Sequence, residues 1–495
     1  MRQVIDPQLK FGEQDISAIE LDPKSRDDIP RILRGLQYIY TTLELREEVF
    51  AILAEVLREG TDGKGKVSTD TGRPGMEQWK ILVLGTLRLG LNADYDRILE
   101  LANEHTTIRK MLGHGDWADE TRYSLQTLKE NVRLLTPEIL DRINQVVVRA
   151  GHQLVKKNAE EGLNIRCDSF VVETDVHYPT DINLLLDAVR KSIETSAHLC
   201  KDEGLSDWRQ STYNIKQLKK AYRRLQSLKR CSAKDPAKRK ARQAEIEQAC
   251  RDYLALAEGF LARARDTRAK LHIGCDLPAI LLADLDAYIA HGERQSDQVR
   301  RRILHGERIP HAEKVFSIFE PHTEWISKGK AGVPVELGLR VVISEDQHGF
   351  ILHHQVMEKC TDDQVAIALV EETCARFPEI NSASMDKGFH SPANQKGMAE
   401  VVPLPVLPKK GKCTAAERER ESDPRFIHLR RRHSAVESAI NALEAHGLDI
   451  CRDHGIDGFK RYVALAVVGR NLHRLGAILL AQEAERERPR SKRAA

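Results

Sequence analysis

The sequence predicts an α/β domain, with a mixed sheet flanked by helices, that is interrupted by a large helical insertion and preceded by an all-α N-terminal region. Apolar residues recur at three-to-four spacing through the first 160 residues, which is typical of amphipathic helices. Runs rich in Val, Ile and Phe follow residue 163 and return after residue 314, which indicates strands. The charged helical pattern between these runs predicts the insertion. The predicted boundaries are 1–160 for the helical region, 161–181 and 311–483 for the α/β domain, 182–310 for the insertion and 484–495 for a basic tail.

The amino-acid composition excludes several classes of protein. The chain has 495 residues, 41% apolar and 31% charged, so it can form real cores and resembles neither a disordered nor a collagen-like chain. Nine dispersed cysteines without a C-x-x-C pair favour a reducing compartment over a disulfide framework. The N-terminus lacks the apolar segment of a secretory signal, and no apolar stretch approaches the length of a membrane span. We therefore expect a cytoplasmic protein.

The N-terminal region contains several predicted helices. Residues 27–59 have helical periodicity, and the Gly-rich stretch 59–75 predicts a loop. Further helices follow over residues 76–150, and those within 72–135 fit either a DNA-binding helix-turn-helix or a dimer interface, so region 1–160 is expected to bind DNA or mediate dimerisation. Asn92 is a candidate N-cap, and Thr136–Pro137 fits a cap followed by the first helical position.

The α/β domain begins with a predicted buried strand, LNIRCDSFVVETDV, from residue 163. The insertion then predicts two long helices on either side of Asp235–Pro236. After the insertion we predict, in chain order, the strands VFSIFE, VELGLRVVISED and GFILHHQVM, a helix in TDDQVAIALVEETCARFP, a strand ending at Asp386, a short helix in SPANQKGMAE, a strand in VVPLPVL, and helices at 434–447 and 457–483.

Three carboxylates lie where an α/β sheet would place a site. Asp168 lies within the first strand, Asp386 at the end of a later strand, and Glu437 one turn into a helix. Together they could hold two Mg²⁺ ions for in-line phosphoryl transfer on DNA. Because the chain has 74 acids, each of the three is better explained on position alone as a surface or cap carboxylate. Asp175 is a rival for the first acid, but its odd offset from Asp168 would aim it at the opposite face of the strand.

Six segments, in order along the chain, carry a resemblance to a known family: GRPGMEQWKILVLGTLRLGLNADYDRILELANEH (72–105), CDSFVVETDVHYPTDINLLLDAVR (167–190), SIFEPHTEWISKGKAGVPVELGLRVVI (317–343), MDKGFHSPAN (385–394), RFIHLRRRHSAVESAINAL (425–443) and HGIDGFKRYVALAVVGRNLHRLG (454–476). The sequence resembles bacterial insertion-sequence transposases of the DDE class, which have an RNase H-like catalytic domain. The likeness covers most of the chain outside 191–310.

The resemblance implies that Asp168, Asp386 and Glu437 form a metal-binding catalytic triad that holds two Mg²⁺ ions, for which Mn²⁺ can substitute. It also implies cleavage of transposon-end inverted-repeat DNA, strand transfer into target DNA, a homodimer, and a cytoplasmic, nucleoid-associated location. The sequence departs from the family pattern around the last acid. Places that hold Tyr, Arg, Glu and Lys in many relatives hold here Arg430, His433, Glu437 and Glu444.

Several cations are candidates for DNA contacts, with ordinary surface charge as the alternative for each: Lys328, Lys330, Lys409, Lys410, Lys412, Arg430, Arg431 and Arg432. Residues 209–243 carry 13 basic side chains and one acid, Asp235, so they form either a solvated helical hairpin or a phosphate-binding surface. Trp325 fits either stacking on an unpaired base or a place in a core.

Three other functions remain open from the sequence: an RNase H-like nuclease without strand transfer, a catalytically silent transposase-derived DNA-binding protein, and a helical scaffold. The basic stretch argues against the last of these.

Overall fold

The computed structural model describes residues 3–5, 14–59, 75–115, 119–158, 161–230, 235–271, 279–327 and 334–487. It divides into two compact units. The first consists of Met1–Asp175 with Ile326–Ala495, and the second is Val176–Trp325. The predicted loop 59–75 lies almost wholly outside the described residues, as do residues 488–495 of the predicted tail.

The helices are α1 (Ile29–Thr41), α2 (Leu43–Glu59), α3 (Gln78–Gly90), α4 (Tyr95–Glu104), α5 (Thr106–Met111), α6 (Leu125–Val132), α7 (Pro137–Val155), α8 (Asp181–Asp202), α9 (Ser211–Arg230), α10 (Pro236–Lys270), α11 (Ala279–Leu304), α12 (Asp362–Arg376), α13 (Pro392–Val401), α14 (Ala415–Ser422), α15 (Pro424–His433), α16 (Val436–Leu443) and α17 (Gly455–Glu487). A π-helical turn, Glu444–Leu448, follows α16.

The strands are β1 (Leu163–Thr174), β2 (Glu324–Ser327), β3 (Val335–Glu345), β4 (Ile351–Met357), β5 (Ile380–Met385), β6 (Leu404–Val406) and β7 (Ile450–Cys451). They form one mixed sheet in which β1 is central. β3 pairs antiparallel with β1 on one side, and β4 and β2 pair with β3. On the other side β5 pairs parallel with β1 and β6 parallel with β5, while β7 extends the pairing at the end of β1.

Helices flank this sheet, as the sequence predicts. α7 and α17 contact β4, α12 contacts β3 and β4, α15 contacts β5 and β6, and α16 contacts β1. The N-terminal helices and the sheet share one apolar cluster, which includes Ile32, Val146, Ile165, Val341 and Leu465. The helical region of residues 1–160 thus has no core separate from that of the sheet.

The second unit is helical, as predicted for the insertion. Helices α8, α9, α10 and α11 enclose their own apolar cluster, which includes Leu185, Trp208 and Tyr253. The predicted start of the second long helix is confirmed: the side chain of Asp235 accepts hydrogen bonds from the backbone N–H groups of Ala237 and Lys238, and Pro236 is the first helical residue.

Three local predictions are wrong. VFSIFE is not a strand, because the Ser317 hydroxyl accepts hydrogen bonds from the backbone N–H groups of Phe319 and Glu320 and turns the chain; the strand lies further on, in β2. Asn92 is not an N-cap. It adopts φ +47° before α4, and Asp94 caps that helix by accepting from the N–H of Arg97. The predicted single helix over 27–59 is divided at Thr42, where the backbone is extended.

Helix α17 approaches α1 and α3 through glycines. A Cβ atom at Gly35 would overlap the backbone carbonyl of Leu472, and one at Gly476 would overlap that of Arg31. A Cβ at Gly469 would lie 3.0 Å from the carbonyl oxygen of Thr86. Backbones therefore pack directly against each other here, because no side chain intervenes.

By length and composition α17 could cross a membrane, so the expectation that no apolar stretch is long enough needs correction. It is the one such helix within the described residues, and 72% of its most apolar stretch is buried inside the protein. That burial is typical of a core helix. The cysteines of the described ranges, which exclude Cys231 and Cys275, are all free.

A buried ion pair fixes the segment before α17 to α3. The guanidinium of Arg88 donates to Asp453 at 2.7 and 3.2 Å, and the two side chains are only 2% and 8% exposed. The same guanidinium lies over the ring of Tyr95, 3.9 Å from its centre. Without Asp453 the charge of Arg88 would be buried and unpaired.

We expect Asp453→Ala to lower the free energy of unfolding by about 3–5 kcal/mol, the usual cost of removing one partner of a buried pair. Denaturant unfolding measures the change. Glu100→Ala is the control, because its pair with Arg97 is exposed and should contribute no more than about 1 kcal/mol. Equal losses in the two variants would contradict this account of the pair.

Candidate active site

The sheet brings two of the three predicted acids together. β1 and β5 are parallel neighbours, with Cys167 opposite Met385, so Asp168 and Asp386 are the next residues along the paired strands. Asp386 directly follows β5, as predicted, and its carboxylate accepts a hydrogen bond of 2.6 Å from the N–H of Gly388. The pairing of the two strands therefore fixes both carboxylates at one level of the sheet.

Glu437 lies in the first turn of α16, the helix that contacts β1. It is exposed, as is Asp386, whereas Asp168 is half-buried. The turn before Glu437 is closed by backbone hydrogen bonds from the N–H of Ala435 to Arg432 and from that of Glu437 to Ser434. These turns lead the chain from α15 directly into α16.

The other acids act electrostatically on Asp168. Burial, together with the negative charges of Asp386, Asp362 and Glu437, raises the pKa of Asp168 to about 6, although the N–H of Ser169 opposes the shift. The charges of Asp386, Asp362 and Glu437 are therefore near enough to Asp168 to act on its carboxylate.

Asp362 is a fourth carboxylate that the sequence interpretation missed. It is the first residue of α12, and its Oδ1 accepts a hydrogen bond of 2.7 Å from the Ser169 hydroxyl. A Cβ atom built on Gly388 would lie 2.9 Å from Asp386 Oδ1 and 3.4 Å from Asp362 Oδ2, so these two acids face the same glycine. The available signal was the capping box that begins at Thr361, which places the next residue at a helix start beyond β4.

His433 lies beside the acids, at the end of α15. Its Nδ1 is 3.2 Å from the Ser384 hydroxyl. Burial lowers the pKa of His433, while Asp386 and Glu437 oppose that shift. The imidazole is therefore neutral at pH 7 and adds no positive charge to the site.

Asp175, the rival first acid, lies beyond the end of β1 and is exposed. Seven residues of strand separate it from Asp168, which corresponds to roughly 23 Å at about 3.3 Å per residue. Asp175 is therefore too far from Asp168 to share a site with it.

The predicted DNA-contacting cations have different surroundings. Lys409 Nζ donates to both carboxylate oxygens of Glu417 at 2.7 Å, so its charge is partly neutralised. Lys410 and Lys412 are exposed. Arg430, Arg431 and Arg432 are exposed in the last turn of α15, and the nearest carboxylate oxygen to Arg430 is 3.6 Å away, on Glu421. Lys328 and Lys330 lie outside the described residues.

The donors of the site suit a hard divalent cation, because carboxylate oxygens are the ligands that Mg²⁺ prefers and a cation would offset their mutual repulsion. Within the described ranges, however, no three or more His, Cys, Asp or Glu side chains are placed closely enough to hold a metal ion as they stand. The exposed carboxylates of Asp386 and Glu437 would therefore have to turn toward Asp168 to share an ion.

Comparison of the chain with protein families, with curated proteins and with solved structures finds no match.

We expect Asp168→Asn to stabilise the metal-free protein at high pH. The pKa of Asp168 is about 6 in the folded protein, above its ordinary value of 3.8. Ionisation of Asp168 therefore destabilises the folded protein increasingly as the pH rises through 6. The gain should be near zero below pH 4 and reach about 2–3 kcal/mol above pH 7. Denaturant unfolding in EDTA measures it. Asp175→Asn, at an exposed position, is the control, and a gain that does not vary with pH would refute the mechanism.

Proposed function

We propose that this chain is a DDE transposase that cleaves transposon-end DNA in a metal-dependent reaction and transfers the cut strand into target DNA. The observation that carries the proposal is the parallel pairing of β1 and β5, which sets Asp168 beside Asp386, together with the influence of Glu437 on the pKa of Asp168. The family resemblance of the surrounding segments supports it. A mixed sheet flanked by helices is compatible with the RNase H-like domain that this proposal requires.

In this proposal Asp168, Asp386 and Glu437 hold two divalent ions. When bound, these would supply activation of a water or a 3′-hydroxyl and stabilisation of the leaving oxygen. The protein's own contribution is position. β1 and β5 hold two acids rigidly, while α16 delivers the third. The same arrangement would serve hydrolysis of the first phosphodiester and attack of the freed 3′-hydroxyl on the second.

Asp362 has a positioning role in the proposal. Its hydrogen bond to Ser169 ties the start of α12 to β1, one residue from Asp168. Its second oxygen adds negative charge beside Gly388 and Asp386. An outer carboxylate of this kind orients ligands and strengthens cation binding.

DNA would be held by exposed cations. The arginines at the end of α15 precede the acid-bearing helix α16, so phosphates bound there would lie beside the site. In the second unit the basic side chains of α9 and of the start of α10 are largely exposed, which suits both a solvated hairpin and the phosphate-binding surface that this proposal requires. Two DNA ends must be handled together, so the proposal includes a homodimer.

The decisive experiment uses a labelled duplex that carries the DNA flanking this protein's own coding sequence. We expect Mg²⁺-dependent nicking and joined products with the wild type, and a loss of at least about 100-fold with Asp386→Asn, since even outer-shell changes cost 10–100-fold. Asp175→Asn is the control and should retain full activity.

The other outcomes separate the alternatives. Cleavage without joined products would identify a nuclease. Binding without metal-dependent chemistry would identify a DNA-binding protein. Cleavage that survives Asp386→Asn would refute the assignment of the triad.

A second prediction concerns the fourth carboxylate. Asp362→Asn should reduce the Mg²⁺-dependent rate by about 10–100-fold and raise the Mg²⁺ concentration needed for half-maximal activity. Asp363→Asn, at the next residue, is exposed and should change neither. An unchanged Mg²⁺ requirement in Asp362→Asn would show that this carboxylate has only a structural role.

A further inference from the structure

The second unit contains a cavity of about 400 Å³ that the proposed chemistry does not use. Its walls come from the chain just before α8, from the last turns of α9 and α11, and from the segment between α11 and β2. Aromatic rings and cations alternate around it. The four carboxylates of the candidate active site belong to the first unit, so this is a separate cavity.

The aromatic side chains form a continuous set. The ring of Trp325 lies 5.6 Å from that of Tyr178 and 5.7 Å from that of Phe316, and His311 lies 5.3 Å from Phe316. Tyr178 is 62% exposed, although it is a large aromatic residue in contact with others. By contrast, Trp208 in the core of the same unit is 1% exposed, and its indole N–H donates to Thr267. The rings around Trp325 therefore resemble a core in residue type, but they are more exposed to solvent than core residues are.

Three cations line the same cavity against a single acid. Arg302 donates to Asp181 at 2.7 Å, and Lys229 and Lys314 line the cavity beside this pair. Neither lysine forms an ion pair with any residue in the described ranges. Partial burial lowers the pKa of Lys229, and the adjacent charge of Arg302 lowers it further, while Asp181 opposes the shift. The three cations outnumber Asp181 in the lining of the cavity, and this excess of positive charge favours an anionic ligand.

We propose that this cavity binds one unpaired nucleotide of single-stranded DNA. The base would stack on the exposed ring of Tyr178 beside Trp325, and the flanking phosphates would contact Lys314 and Lys229. Exposed aromatic rings beside cations are the recurring means of binding single strands, because every base offers a π-face and every linkage a charge. The volume of the cavity falls within the range of small-molecule sites, about 300–1,000 Å³.

This inference goes beyond the proposed catalytic function, because it concerns binding and needs no metal. EDTA should therefore leave single-strand binding unchanged. If EDTA abolished cleavage but kept single-strand binding, both proposals would stand. If cleavage were absent from the wild type, the nucleotide pocket would still be tested by binding alone.

The test measures the fluorescence anisotropy of a short 5′-labelled oligo(dT) strand and of a blunt duplex of equal length, with the full chain. We expect Tyr178→Ala to weaken single-strand binding about ten-fold or more and to leave duplex binding unchanged. Tyr178→Phe, which keeps the ring, should bind as the wild type does. Tyr213→Ala is the matched control, since Tyr213 is 58% exposed on α9 and does not line the cavity.

Lys314→Gln supplies an independent readout. Loss of one phosphate contact should lower the slope of log affinity against log salt for the single strand by about 0.7, whereas Tyr178→Ala should leave that slope unchanged. Equal weakening of single-strand and duplex binding by Tyr178→Ala would overturn the proposal. A second result would also overturn the proposal: poly-glutamate displaces the labelled single strand equally well from the wild type and from Tyr178→Ala. That result would indicate a site for an acidic peptide.

Discussion

The pairing of β1 on both of its edges is the constraint on which the rest of the first unit depends. β3 pairs with one edge, and β5 and β7 with the other, so a shift of β1 by one residue would break three sets of hydrogen bonds at once. It would also turn Asp168 to the opposite face of the sheet. Helices α12, α15 and α16 take their positions from the strands that they contact. The relative placement of the acids therefore follows from strand register more than from any contact between the acids themselves.

The sequence predicts most of the elements because their periodicity is strong. β1, β3, β4 and β5, the helices of the insertion and the position of Asp386 after its strand all follow from patterns within single segments. The prediction of a strand at VFSIFE fails because of local competition. The hydroxyl of Ser317 accepts hydrogen bonds from nearby backbone N–H groups and prevents a strand where the apolar pattern favours one. Asp362 was missed for a different reason. Its approach to Ser169 joins residues far apart in the chain, and no local pattern reports such a contact.

The site and the core have opposite requirements. The glycines of α1, α3 and α17 allow backbones to touch, whereas Asp168 is partly buried near other negative charges that raise its pKa. Ionisation of Asp168 therefore costs stability that the packing elsewhere offsets. In the proposed function, a bound cation would remove that cost.

The position of the insertion has a consequence for the order of folding. During synthesis β1 emerges before the whole of the second unit, while its partners β3 and β5 and the central helix α17 come after that unit. The core of the second unit is complete once α11 has been made. Because domains fold as their residues become available, the inserted unit is the first that can complete its core. The N-terminal helices can pack on one another, but the faces of α1, α3 and α7 that contact α17, and both edges of β1, wait for segments made after the insertion. During that interval β1 is open to pairing with other chains, so the discontinuous unit is the part of the protein most open to misassembly.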